Sequence, residues 1–399
     1  MPATADAPRP FDVIVIGAGA AGLMAAATAG ARGRRVALLD HNAQAGAKIL
    51  ISGGGRCNFT NEHAEPGRFI SANQRFAVSA LRRYTPQDFI ALVRKHGIAF
   101  HEKSLGQLFC DGSARQIVAM LLAECAAADV FLHLGHRVAD VSRTDRFQVR
   151  TEAGAFEAPA LILATGGLSI PKLGATGFSH DVARRFGLAL TGIRPGLVPL
   201  TFDGAEIETM RPLAGVSLPV RAKAGGAVFD EALLFTHRGL SGPAVLQASS
   251  YLAGGEPLTL DLAPGVDAAA VLIDGKRRRP KAEARTVLSE LLPQRLAAAW
   301  AAGLPDRPMA EQPDRALRAL GATLNAWRLH PAGTEGYAKA EVTMGGVDTS
   351  ALSSQTMEAR DVPGLFVIGE AVDVTGWLGG YNFQWAWASG WCAGQAILP

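Results

Sequence analysis

Cysteine is scarce and dispersed: Cys57, Cys110, Cys125 and Cys392 are the only four in 399 residues. No two stand at CxxC or CxxxxC spacing, which argues against a local zinc or iron–sulfur site and against a redox disulfide. Four reduced thiols in a reducing compartment are expected, and no metal. Net charge is nearly absent at +3, so no bulk polyanion partner is implied. An uninterrupted membrane span is missing too. The apolar stretch 13–31 is cut by several glycines and bounded by Asp12, Arg32, Arg34 and Arg35. The leader MPATADAPRP has no cationic start followed by an apolar core, so no secretory signal is read and a soluble cytoplasmic protein is expected. There is no internal repeat.

What is present begins with FDVIVIGAGAAGLMAAATAGARGRRVALLD, residues 11–40. Val13 to Ile16 form an unbroken apolar run suited to a parallel strand buried on both faces. Gly17 permits the sharp turn, Gly19 permits close approach of a pyrophosphate, and Gly22 permits the next helix to pack on the strand. Amides at the helix start, including those of Ala20 and Ala21, face the phosphates with the positive end of the dipole behind them. Val36 to Leu39 form the second strand, and Asp40 at its end can accept from an adenosine ribose. Strand, turn, helix and acid together define a dinucleotide-binding unit.

A length of 399 residues predicts two or three lobes. Helices are predicted near 74–84, 86–96, 113–127 and 180–186, and a hairpin turns at Thr144 and Asp145. Another buried run, Leu161 to Ala164, breaks at Gly166 and Gly167. From Gly192 the texture becomes short apolar runs with Pro and Gly, as in a barrel or sandwich, and then alanine- and leucine-rich helical spacing. GLFVIGE returns a buried strand, Leu365 to Ile368, and a final helix is expected from near Gln384 to Ile397. The predicted fold is α/β: a first nucleotide-binding part at 1–191, a β-rich barrel-like insert at 192–266, a helical insert at 267–335 and a second nucleotide-binding part at 336–399. The run KRRRPK, 276–281, lacks interleaved aromatics and reads as a solvated helix start.

GAGAAG, ATGG and GE each follow a buried run, so all three are expected at the carboxyl edge of one parallel sheet. The last, Gly369 and Glu370, points to FAD over NAD. An acid there can hold a ribityl hydroxyl, and the helix after Gly380 can aim its amides at the flavin pyrimidine.

The segments GAGAAGLMAA, KILISGGGRCNFTN, LFTHRGLSGPAVL, EVTMGGV and GLFVIGEAVDVTGWLGGYNFQWAWASG span Val13 to Gly390. In this order they resemble the bacterial two-dinucleotide-binding-domain flavoproteins labelled BaiN-like or aminoacetone-oxidase-like. The resemblance implies noncovalent FAD in a Rossmann-like domain split by a barrel and a helical region. It places Gly17, Gly19, Ala20, Ala21 and Gly22 around the pyrophosphate, with Asp40 and His41 at the ribose. Lys48, Ser52, Gly53, Gly54, Arg56, Cys57 and Asn58 would line the ribityl and ring region. Val138 would present its backbone to the adenine, and Ala164, Thr165 and Gly166 would support the cofactor from the middle strand. Gly369, Glu370, Gly380, Tyr381, Asn382 and Gln384 would hold the ribityl chain and ring.

Cys57 is read as a reactive thiol or a small buried side chain, the second being the commoner case. The tryptophans near the last helix are read as its packing. His237 and Arg238, in FTHRGLSGP, are candidate catalytic residues, a proton donor and an anion contact; the rival reading is a plain turn. The expected function is an FAD-dependent oxidoreductase acting on a small organic substrate by hydride transfer at flavin N5, with NAD(P)H a possible transient donor. No nucleic-acid partner and no membrane contact are expected, and the oligomeric state is left open. The alternatives are a flavin-dependent RNA-modifying enzyme and a non-catalytic FAD-binding redox sensor.

Overall fold

The computed structural model describes residues 9–252 and 255–398, so most of the leader read above lies outside the described residues. Two compact units emerge: 1–194 with 342–399, and 195–341.

The first unit is built on a five-stranded parallel sheet. Its strands are β1 (Val13–Ile16), β2 (Val36–Leu39), β3 (Phe131–His133), β4 (Ala160–Leu163) and β5 (Leu365–Val367). They lie in the order β5-β4-β1-β2-β3, and every pairing is parallel. The three strands that carry glycine motifs are therefore neighbours, and their carboxyl ends share one edge. Their apolar side chains are buried on both faces, as a sheet covered on each side requires. β3 is the member that the sequence pattern does not announce.

Two helices fix what stands above that edge. The first, Ala20–Ala31, follows β1, and the final helix, Tyr381–Ala396, follows β5. They run in the same direction and touch through glycines. A Cβ on Gly390 would lie 2.4 Å from the Ala21 carbonyl oxygen, and one on Gly394 would lie 2.6 Å from Thr28 Cβ. Trp385 Nε1 donates to Gly369 O at 2.9 Å and Trp387 Nε1 to Phe59 O at 2.8 Å. Both rings are buried, so they pack the helix in place. An antiparallel sheet, Val138–Arg143, Phe147–Thr151 and Gly154–Ala158, completes the hairpin expected near Thr144.

The second unit carries a seven-stranded antiparallel sheet with Trp327–Leu329 at one edge and Gly333–Thr334 at the other. Only His330 to Ala332 separate those edge strands in sequence. Four peptide steps span at most about 14 Å, so the sheet must curl until its edges approach each other. Helices Ala268–Arg278, Ala284–Leu288, Gln294–Ala301 and Asp314–Asn325 belong to the same unit. The basic run departs from the expectation here. Lys276, Arg277 and Arg278 end a helix instead of starting one, where cations complement the negative end of its dipole. Among the described residues, no helix is long and apolar enough to cross a membrane.

Candidate functional site

The turn after β1 is held by approaches too close for any side chain. Gly17 has φ +111, and a Cβ there would meet the Ala164 carbonyl oxygen at 2.5 Å; a Cβ on Gly22 would meet Gly17 O at 1.8 Å. Gly19 differs, because a Cβ there would meet nothing within 4 Å. It stands at the helix N-cap with no side-chain cap, and the first-turn amides have no acceptor within the helix. Open space in front of unpaired amides is the geometry a pyrophosphate needs.

Asp40 at the end of β2 shapes that loop. Its Oδ2 accepts from Ala18 N at 2.7 Å and its Oδ1 from Asn42 N at 2.8 Å. His41 Nδ1 lies 3.9 Å from the same carboxylate. His136 N donates to Asp40 O at 2.8 Å, which sets the chain leading to Val138 beside the end of β2. At the end of β4, Thr165 Oγ1 lies 2.6 Å from Ser179 Oγ, and Gly166 at φ +75 faces open space.

Lys48 and Glu370 meet at 2.6 Å and form the most connected polar group at this edge. Lys48 Nζ also donates to Ser169 Oγ at 2.6 Å, and Ser169 Oγ donates to Glu370 Oε1 at 2.8 Å. Thr343 N donates to Glu370 Oε1 at 2.8 Å, while Thr343 Oγ1 accepts from Leu168 N and Ser169 N. Burial alone would raise the Glu370 pKa; the Lys48 charge and bond, the Thr343 amide and the Ser169 hydroxyl outweigh it and hold the carboxyl below its ordinary value. Three of its roughly four acceptor positions are thus used inside the protein. One remains on Oε2 for an external hydroxyl. Sequence reasoning missed Ser169 and Thr343, although Thr343 stands in EVTMGGV and Ser169 two residues past the ATGG break.

The glycine loop 52–57 winds through left-handed backbone: Gly53, Gly54, Gly55 and the non-glycine Cys57 all have φ between +52 and +84. Gly54 and Gly55 face open space, whereas a Cβ on Gly53 would collide with Asn58 N and Phe109 at 2.8 Å. Ser52 Oγ donates to Ile49 O, and Arg56 is exposed. Cys57 is fully buried and burial pushes its thiol up to about 12, so it stays protonated at neutral pH. All four cysteines are buried and free. Asn58 sits among Gln107, the carbonyls of Thr60 and Leu108, and the Gly380 amide.

Gly380, at φ +94, caps the final helix so close to Thr60 that a Cβ would lie 2.4 Å from its carbonyl. The amides that follow lead this helix with no side-chain cap. Asn382 bridges Gly376 through both ends of its amide, and Tyr381 packs edge-on against Phe69. Gln384 is fully buried between the Thr60 hydroxyl and the Tyr84 carbonyl, the geometry of a strut. Behind this edge, His180 is buried with Nε2 unpaired, and burial lowers its pKa so that the ring is neutral. His237 and Arg238 lie in the second unit, exposed on the turn between strands Ala227–Thr236 and Gly239–Ser241. Arg238 N donates to Thr236 Oγ1 at 3.2 Å. Among the described residues, no group of three or more His, Cys, Asp or Glu could hold a metal.

A parallel sheet whose motif-bearing ends meet beneath two uncapped helix N-termini is the fold of a flavoprotein oxidoreductase. The family described as "HI0933-like protein Rossmann domain" matches residues 11–396, and the chain belongs to it. It is 51% identical over 392 residues to the ribosomal RNA dihydrouridine synthase of Escherichia coli K12, covering 97% of this chain and 98% of that protein. It is 45% identical to the protein of the same name from Haemophilus influenzae Rd, covering 96% and 98%. A third relative, at 30% identity and 96% and 98% coverage, is the 3-dehydro-bile acid delta(4,6)-reductase of Clostridium scindens. These relatives correct one expectation. A small-molecule substrate with no nucleic-acid partner does not stand beside two full-length relatives named for an action on RNA. The +3 net charge bears on bulk affinity for polyanions and says nothing of how charge is distributed over the surface.

Proposed function

We propose that this protein is an FAD-dependent reductase that converts uridine to dihydrouridine in ribosomal RNA. The observation that carries this reading is 51% identity, along nearly the whole of both chains, to a protein named for that activity. Making dihydrouridine from uridine saturates a carbon–carbon double bond and the third relative is named a reductase, which supports hydride addition to such a bond as the chemistry proposed here.

FAD fits the residues at the sheet edge: open space at Gly19, uncapped amides at two helix starts, and one free acceptor position on Glu370. Gly17 to Gly22 would hold the pyrophosphate, Asp40 and His41 the adenosine ribose, Val138 the adenine, and Ala164 to Gly166 the middle of the cofactor. Lys48, Ser52, Gly53, Gly54, Arg56 and Asn58 would line the ribityl and ring side with Gly369, Glu370, Gly380, Tyr381 and Asn382. Cys57 and Gln384 would act from behind, as supports of that lining. Bound FAD, reduced by NAD(P)H, would supply the hydride for one carbon of the uracil 5,6 double bond, with a proton going to the other. The final helix would favour the anionic reduced ring through its positive end. His237 and Arg238 would contact the RNA, the arginine as partner to a phosphate.

Unmodified ribosomal RNA incubated with the FAD-loaded protein and NADPH or NADH should acquire dihydrouridine, read by mass spectrometry of its nucleosides. Omitting the nicotinamide should abolish the product, and Arg238→Gln should raise KM for RNA with the flavin spectrum unchanged. RNA that stays unmodified with either reductant sinks the reading.

A further inference from the structure

Residues 267–330 carry eleven Lys and Arg against seven Asp and Glu, a surplus of +4 in a chain whose total is +3. The fold gathers much of that surplus at one end of the helical segment. Lys276 Nζ donates to Gln312 O and Asp314 Oδ1 at 2.7 and 2.8 Å, joining the end of Ala268–Arg278 to the start of Asp314–Asn325. A Cβ on Gly321 would lie 2.3 Å from the Ala269 backbone, so these helices are antiparallel and in contact. Met309 N and Ala310 N donate to Ala282 O and Pro280 O, which brings the Arg307 segment against Lys281. The bond from Lys276, with the nearby charges of Arg318 and Arg277, lowers the Asp314 pKa.

Some of these cations have local partners. Lys276 pairs with Asp314, Arg278 with Asp274 and Glu290, Arg279 with Glu290, and Arg285 with Glu283. Arg277, Lys281, Arg307, Arg315 and Arg318 are exposed, and no ion pair is assigned to them among the described residues. Asp306, Glu311, Asp314 and Glu283 are exposed acids near them, of which Asp314 already pairs with Lys276 and Glu283 with Arg285. Helix energetics account for Arg277 at a helix end and for Arg318 four residues after Asp314, but not for Lys281, Arg307 and Arg315. Arg315 occupies the first turn of its helix, where the dipole disfavours a cation, and Lys281 and Arg307 lie outside any helix. Arg315 and Arg318 are three apart, so they share a helix face.

We propose that this end of the helical segment is the docking surface for the phosphate backbone of the RNA substrate. The proposal rests on the ribosomal RNA reading above and adds where the RNA is held. Arginine suits the task because its planar fork pairs with phosphate through two bonds. Aromatics are not interleaved with these cations, so the surface grips by charge and position and leaves base reading to the reaction site.

The test compares the FAD-loaded parent with Arg277→Gln/Lys281→Gln/Arg318→Gln on a fragment of ribosomal RNA across a salt series. The triple variant should bind roughly tenfold or more weakly near physiological salt. Its slope of log affinity on log salt should fall by about two to three, close to one for each phosphate that is no longer neutralised. Flavin content and kcat at saturating RNA should match the parent and the melting temperature should fall only slightly, while Arg277→Lys/Arg318→Lys should keep the parent's salt slope and lose part of its affinity. A parent that makes dihydrouridine while the triple variant keeps its affinity and salt slope overturns the docking surface and leaves the proposed function standing. Parent protein that sediments with phosphatidylglycerol vesicles but does not bind RNA overturns it in favour of a lipid. A parent that forms no dihydrouridine refutes the proposed function, and the docking surface with it.

Discussion

Lys48 and Glu370 are 322 positions apart in sequence and 2.6 Å apart in space. The pair is one-third and one-fifth exposed, so solvent screens part of its energy. Its worth lies in fixing the geometry of Ser169, Thr343 and the end of β5 together. Lys48→Met would leave Glu370 with hydroxyl and amide donors but no countercharge. A loss of about 2 kcal/mol at neutral pH is expected, typical for a hydrogen-bonded charge partner. The pH dependence carries the sign. Because the Glu370 pKa is held low in the folded state, its stability contribution is present above the ordinary carboxyl value of 4.5 and is lost as pH falls. Removing Lys48 raises that folded-state pKa, so the gap between variant and parent should shrink on acidification. Urea unfolding at pH 7 and pH 4 measures it; a gap of equal size at both would show that the lysine acts only by packing. Glu370→Gln removes the charge that the lysine answers, so in that background Lys48→Met should bring little further loss.

At the scale of elements, two glycines with opposite surroundings separate packing from binding. Gly390 presses the final helix against Ala21, and a methyl there would come within 2.4 Å of a backbone oxygen. Gly390→Ala should therefore cost about 1–3 kcal/mol through overpacking. Gly19→Ala meets no protein atom within 4 Å and has ordinary extended backbone, so the cofactor-free protein should keep its stability. What Gly19→Ala should lose is FAD, since the methyl occupies the space proposed for the pyrophosphate. Melting temperature and flavin-to-protein ratio, measured on both variants, check the contrast. Retention of full flavin by Gly19→Ala would remove the pyrophosphate from this turn. The same elements show what the sequence made legible. Val13–Ile16, Val36–Leu39 and the runs before ATGG and GE are readable because strands buried on both faces admit only apolar residues. Phe131–His133 is not: it is three residues long, includes a histidine, and becomes a strand only by pairing with β2. Glu370 is legible as an acid at a strand end, but its engagement with Lys48, Ser169 and Thr343 arises from chain crossings that no local pattern reports.

At the scale of the molecule, the first unit is finished only when the chain returns at Val342 to add β5 and the final helix. One edge of the parallel sheet and one of the two uncapped helix starts thus come from the last residues, and the cofactor proposed here would touch both segments. Binding of FAD should then stabilise the unit as a whole, because a ligand that binds only the folded chain adds about 2.7 kcal/mol at a hundredfold excess over its Kd. Nothing in the cradle calls for a covalent link. Cys57, the one thiol in its glycine loop, is buried and protonated, with its pKa pushed up to about 12. The purified protein should be yellow with one FAD per chain, and acid precipitation should leave the pellet white and the flavin in the supernatant. Flavin held in the pellet would contradict noncovalent attachment. FMN in place of FAD would leave Gly17 to Gly22 and Asp40 without the adenosine diphosphate that their geometry is proposed to hold. Stripping the flavin should lower the melting temperature, and adding FAD back should restore it while riboflavin does not, because riboflavin lacks the pyrophosphate that meets the amides beside Gly19.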